Sequence, residues 1–217
     1  MSDPLFRHAA ARERFFARMP PKPRFQTDDI VQAAFSVVRR EGWPGLSARS
    51  IAKALNASTS PIYAYLSSMN AIEAAVIKKA LELFHAYITA QRTGDKWIDH
   101  GLGYVLFAKE EKHLFRCIND EKHASLTRRF TRTLFAALGR DLADYGPFQG
   151  LSKEVLLDIR RSRWFMIHGL ASLINNEWYS LANQEHVVMR EGKNVRLEAL
   201  VRDTSLAILQ GHTQGND

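Results

Sequence analysis

The chain has 217 residues, 30 of them Lys or Arg and 23 Asp or Glu, for a formal net charge of +7. Its single cysteine, Cys117, excludes an internal disulfide framework and fits a reducing, cytoplasmic setting. No apolar run is long enough to span a bilayer and no apolar signal core precedes Pro20, so no membrane partner is expected.

The charge is uneven. Residues 1–68 hold ten Lys or Arg against five Asp or Glu, whereas residues 69–217 hold twenty against eighteen. A basic excess concentrated in one segment predicts a phosphate-neutralising face there. Residues 1–26 form a basic arm with Arg7, Arg12, Arg14, Arg18, Lys22 and Arg24, closed by Pro20, Pro21 and Pro23. It reads either as a lightly docked tail or as an arm along a DNA backbone or minor groove.

The first firm helix is predicted over about Asp28–Glu41, with Thr27 as its cap and Ile30, Ala33, Ala34, Val37 and Val38 as its buried stripe. Gly42 stops it, and Trp43-Pro44-Gly45-Leu46 makes a turn whose Trp43 and Leu46 plug a small core. Ser47 caps a short second helix with Ile51, Ala52 and Leu55 on one face. Asn56 then supplies a residue that tolerates the left-handed region, and Ser58 caps a third helix with Pro61 in its first turn. Two short helices joined by such a turn predict a helix-turn-helix, whose second helix enters the DNA major groove.

A long connecting helix is predicted from about Asn70 to Gln91, with Ile72, Val76, Ala80, Leu83 and Tyr87 on one side, ending before Thr93-Gly94-Asp95. Beyond it every strong pattern is helical, over about 96–109, 111–118, 122–144, 152–181 and 195–211. The expected fold is therefore all-α. It comprises an arm over 1–26, a three-helix helix-turn-helix head over 27–70, a connecting helix over 71–94 and a second helical domain, expected to dimerise, over 95–217. Trp164–Ile174 is apolar on nearly every face and must be covered on all sides, which a second subunit achieves. With Leu197, Leu200, Val201, Ala207 and Ile208 it predicts a four-helix bundle across a two-fold axis.

The order and spacing of Ile30-x-x-Ala33-Ala34, Gly42-Trp43, Leu46-Ser47, Ile51-Ala52, Ser58 and Ile62-Tyr63-x-Tyr65 resemble the TetR family of bacterial one-component repressors. The likeness covers about Thr27–Leu83. The rest is similar only generically, through Ala108-x-x-x-x-His113-Leu114-Phe115-Arg116 and the Trp164–Ile174 helix. Leu66 stands where the family commonly has Phe, Met69 where it has a phosphate-anchoring Lys, and Asn56 where it has Gly. The resemblance implies a homodimer on double-stranded operator DNA. Arg49 matches a position that reads a guanine edge, a task suited to its bidentate fork. Thr59, Ser60, Pro61 and Ala64 are the expected base-edge readers. Tyr63 and Tyr65 are expected on phosphates, with Ser47 and Ser58 as short backbone anchors.

The resemblance also implies a cavity in the second half for a hydrophobic small-molecule effector. Trp97, Tyr104, Phe107, Phe130, Trp164 and His168 are its candidate residues. Abundant aromatics with few buried-looking charges point to an apolar, aromatic or polycyclic ligand. His113, Cys117 and His123 are too sparse for a zinc site, so no metal or cofactor is expected. Gly101-Leu102-Gly103 lacks a third glycine and a preceding strand, so it is no phosphate loop. Glu110-Glu111 reads as solvated helix surface. No Ser, His and Asp set points to catalysis, and the chain is not expected to be an enzyme. The expected function is a repressor released from DNA by its effector. The alternative is a DNA-associated interaction protein of the same fold, regulated by a protein partner without an effector.

Overall fold

The computed structural model describes residues 25–60, 62, 69–176 and 194–213. Within them lie eight α-helices and no strand: α1 Thr27–Glu41, α2 Ala48–Ala54, α3 Met69–Thr89, α4 Lys96–Glu110, α5 Lys112–Asn119, α6 Ala124–Asp141, α7 Lys153–Asn175 and α8 Asn194–Thr213. The all-α expectation holds for these residues.

The cap of α1 is Gln26, one residue ahead of the expected Thr27. Asp29 explains the shift, because its carboxylate accepts from the Gln26 backbone N–H at 2.7 Å and closes a capping box. Gly42 ends the helix at φ +76°, and a single 3-10 turn over Trp43–Gly45 leads to α2. Ser47 and Ser50 cap α2 reciprocally: Ser47 Oγ accepts from the Ser50 N–H at 3.1 Å, and Ser50 Oγ from the Ser47 N–H at 2.9 Å. Asn56 follows at φ +49°, and the next N–H, of Ala57, returns to the Ala52 carbonyl at 2.9 Å. Helical backbone resumes at Ser60, so the restart comes slightly later than a Ser58 cap requires. The Ile62 N–H reaches the Thr59 carbonyl at 3.1 Å. Ile51, Ala52 and Ile62 are buried together, which closes the turn against α1 and α3.

In α3 the buried face runs through Ile72, Val76, Ala80, Phe84 and Ile88, with Ile77 and Leu81 beside it. The expected Leu83 and Tyr87 are only partly buried, since steps of four keep the stripe under α4 and α5. One apolar cluster extends from Ile30 in α1 to Val201 in α8. At its centre stands α4, whose residues 97–103 and 105–108 are all buried. Helices α3, α7 and α8 pack around it. Gly103 permits this, because a Cβ there would collide with the Tyr87 carbonyl of α3. Glycine costs α4 intrinsic helicity, and the close approach of two backbones offsets it.

The apolar α7 stretch is covered on one side only. Ile159, Ile167, Ala171 and Ile174 are buried, whereas Leu157 and Phe165 are each 61% exposed and Leu173 51%. In α8, Leu197 and Val201 are buried and Leu200 and Ile208 half-buried, while Ala207 is exposed. The helix expected to reach residue 181 ends at Asn175, and residues 177–193, including Trp178, lie outside the described set.

Candidate functional site

Two surfaces and the element between them organise the polar chemistry. The first is built on α2 and the turn after it. Burial of Ile51 and Ala52 turns Arg49 and Lys53 outward, and Ser47 exposes its hydroxyl while capping the helix. Arg40, Ser47, Arg49, Ser50 and Lys53 line a shallow groove. Arg40 pairs with the adjacent Glu41, and no described carboxylate pairs with Arg49 or Lys53. Ser58, Thr59 and Ser60, in the turn that follows, are exposed. Pro61, Tyr63, Ala64 and Tyr65 lie outside the described residues, as do most residues of the basic arm.

The second is a cavity of about 80 Å³ between α4, α6 and α7. Of the expected residues, Trp97, Tyr104 and Trp164 form its wall. His168 sits behind it, with Nδ1 2.8 Å from Tyr104 Oη and its ring stacked on Trp164 at 5.5 Å. Burial lowers the His168 pKa, which keeps the ring neutral, and burial raises that of the Tyr104 phenol. Phe107 is turned away, packed against Phe84 and Tyr87 at ring distances of 5.0 and 5.4 Å. Phe130 borders a different groove, between α3 and α6.

Sequence reasoning missed the charged part of this wall. Arg163 is 7% exposed, on the same face of α7 as Ile159 and Ile167. That phase, four residues from each isoleucine, was the available signal. Its Nη2 donates to the Trp97 carbonyl, its Nε to Ser205 Oγ at 3.3 Å, and its guanidinium lies 3.5 Å from the Trp97 ring centroid. Burial pushes its pKa down to about 9. Gly101 leaves the space it occupies, since a Cβ there would meet Nη2. His100 is also in the wall. Its Nε2 is 3.0 Å from Asp141, and burial and then the Arg163 charge lower its pKa. Trp97 Nε1 and His100 Nδ1 are buried without a hydrogen-bond partner.

Between the two surfaces lies the α4–α5 junction. Glu111, expected on a solvated surface, is 4% exposed, because Arg39 of α1 grips it with two hydrogen bonds, Nε to Oε2 at 2.7 Å and Nη2 to Oε1. Tyr87 Oη donates to Glu110 at 2.8 Å beside it. Trp43, in the turn after α1, meets the His123 ring edge-on at 4.4 Å. His123 Nδ1 is 2.7 Å from the Cys117 carbonyl, and burial pushes the Cys117 thiol up to about 12. These side chains tie α1 and the turn after it to α4 and α5, and no group of three His, Cys, Asp or Glu among the described residues is arranged to hold a metal. No described helix is long and apolar enough to cross a membrane.

Compared with family models and with curated proteins, the chain matches none.

Proposed function

We propose that this chain is a sequence-specific DNA-binding regulator of the TetR type, a homodimeric repressor whose operator affinity is set by a small molecule in the α4–α6–α7 cavity. The observation that carries the reading is the left-handed Asn56 turn. It joins a Ser-capped α2 to a second helical start at Ser60, with the apolar side buried and Arg49 and Lys53 outward. A basic, hydroxyl-rich face built this way suits a phosphate backbone, with Arg49 placed to take a guanine edge. Tyr63, Tyr65, Pro61 and Ala64 belong to the proposed recognition helix by their place in the sequence.

The dimer would form across the exposed side of α7, where Leu157, Phe165 and Leu173 flank Gly169, together with Leu206 of α8. The switch would run through α4, which contributes Trp97, His100 and Tyr104 to the cavity and ends at Glu111, the residue gripped by Arg39 of α1. A ligand that prefers the conformer with α4 displaced would move α1 and α2 with it. Operator affinity would fall by the ratio of its affinities for the two conformers. A largely apolar, concave pocket favours a small-molecule effector over regulation by a protein partner.

Selection from random duplex DNA tests the proposal. The expected result is one pseudo-palindromic sequence with half-sites about one helical turn, roughly 34–36 Å, apart. Equal binding to every duplex would refute it.

A further inference from the structure

The cavity's charge pattern carries more than the word hydrophobic. Its wall contains two guanidiniums, of Arg160 and Arg163, and the imidazole of His100, and no carboxylate. Arg160 hydrogen-bonds the Phe135 carbonyl at 3.0 Å and sits towards solvent. Arg163 is the unusual one: a buried cation held by a carbonyl, a hydroxyl and an aromatic face, with no described carboxylate in salt-bridge range. Buried charges ordinarily come paired, because the interior does not replace the lost water. Asp95, held by Tyr145 Oη at 3.1 Å, acts on the Arg163 charge from beyond salt-bridge range, so the guanidinium beside the cavity has no carboxylate in direct contact.

From this we infer that the cavity takes an organic acid: a single carboxylate on Arg163, with an apolar body among Phe84, Leu134, Leu138 and Trp164. His100 is not part of the headgroup site. With Nε2–H donating to Asp141, the neutral ring offers Nδ1 only as an acceptor, which repels a carboxylate. The sheltered space is small, about half of the roughly 150 Å³ that accommodates benzene in an engineered protein cavity, and a larger body would extend through the pocket's open side. Trp164 and Phe135, 39% and 37% exposed, are the side chains with room to yield. The acid adds one charged group to the apolar, aromatic or polycyclic ligand expected from composition, and the inference rests on the ligand-responsive reading given above.

The test is calorimetric titration of the full-length protein with benzoate, phenylacetate and hexanoate, each against its own amide. The acid of at least one pair should bind about tenfold or more tighter than its amide, the margin of a charge-assisted contact over a neutral one. Arg163→Gln should bring acid and amide together. The inference is overturned if amides bind as well as acids, if the preference survives Arg163→Gln, or if no acid binds. The wild-type comparison needs no variant, so a misfolded Arg163→Gln does not blunt it. Operator release measured in parallel separates the two readings. An acid that binds without releasing DNA leaves this inference standing and sinks the effector mechanism. A neutral compound that releases DNA while no acid binds does the reverse.

Discussion

Replacing Arg163 by Met asks whether the fold keeps this guanidinium for its own stability. Holding the charge at pH 7 costs about 5 kcal/mol relative to the unfolded chain, because burial takes the guanidinium pKa from its ordinary value down to about 9. Against that stand the bonds to the Trp97 carbonyl and the Ser205 hydroxyl, about 1.5–3 kcal/mol each. The contact over Trp97 adds about 2 kcal/mol. The two sides nearly cancel, and Met keeps the packing of the stem. Urea unfolding at pH 7 and fixed protein concentration should therefore give a change within about 2 kcal/mol of zero. A loss of about 4 kcal/mol or more would mark Arg163 as a structural keystone of α4, α7 and α8 and refute the reasoning. A second signature lies at alkaline pH. Above about 9 the native state gives up a proton that the unfolded chain keeps to much higher pH, so the unfolded state binds more protons. Wild-type stability should rise relative to Arg163→Met across that window, by at most about 1.4 kcal/mol per pH unit. A difference that stays flat there would contradict the depressed pKa.

Two further substitutions probe the N-terminal surface and its link to the body. Asn56→Val forces a β-branched residue to φ +49° and should cost about 1–2 kcal/mol in thermal unfolding, whereas Asn56→Gly should stay within about 1 kcal/mol of wild type. Equal losses would mean that the side chain, not the backbone angle, matters there. Arg39→Ala leaves the buried Glu111 carboxylate without its cation and should cost about 1–3 kcal/mol, much of it recovered in Arg39→Ala/Glu111→Gln. An additive double mutant would show that the pair is not coupled.

What was legible in the sequence was what chemistry decides locally. Ser47 before Ala48–Ala54, Gly42 after Glu41 and Asn56 between two apolar runs each satisfy a backbone need within a few residues. What stayed hidden depends on distant partners. Glu111 looked like solvated surface because Arg39, which buries it, lies 72 residues away. Arg163 lies just ahead of the apolar Trp164–Ile174 run, and its partners Trp97 and Ser205 are 66 and 42 residues distant. Gly101 and Gly103 were weighed as a phosphate loop, yet their role is to admit a guanidinium and a neighbouring backbone. Phe107 and Phe130 illustrate the same limit, since aromatic content does not tell which ring faces a cavity and which fills the core.

The most direct test of the central claim is equilibrium binding of the full-length protein to its selected operator, titrated against salt, for wild type and Arg49→Ala. Binding should weaken linearly in log salt, with a slope of about −0.9 per phosphate neutralised. Arg49→Ala should cost about 1–3 kcal/mol on the operator and relax preference at one base position, with little loss on random duplex. Salt-independent binding, or an Arg49→Ala protein that discriminates operator from random DNA as well as wild type, would contradict the assignment of α2 and the Asn56 turn as the DNA-reading face.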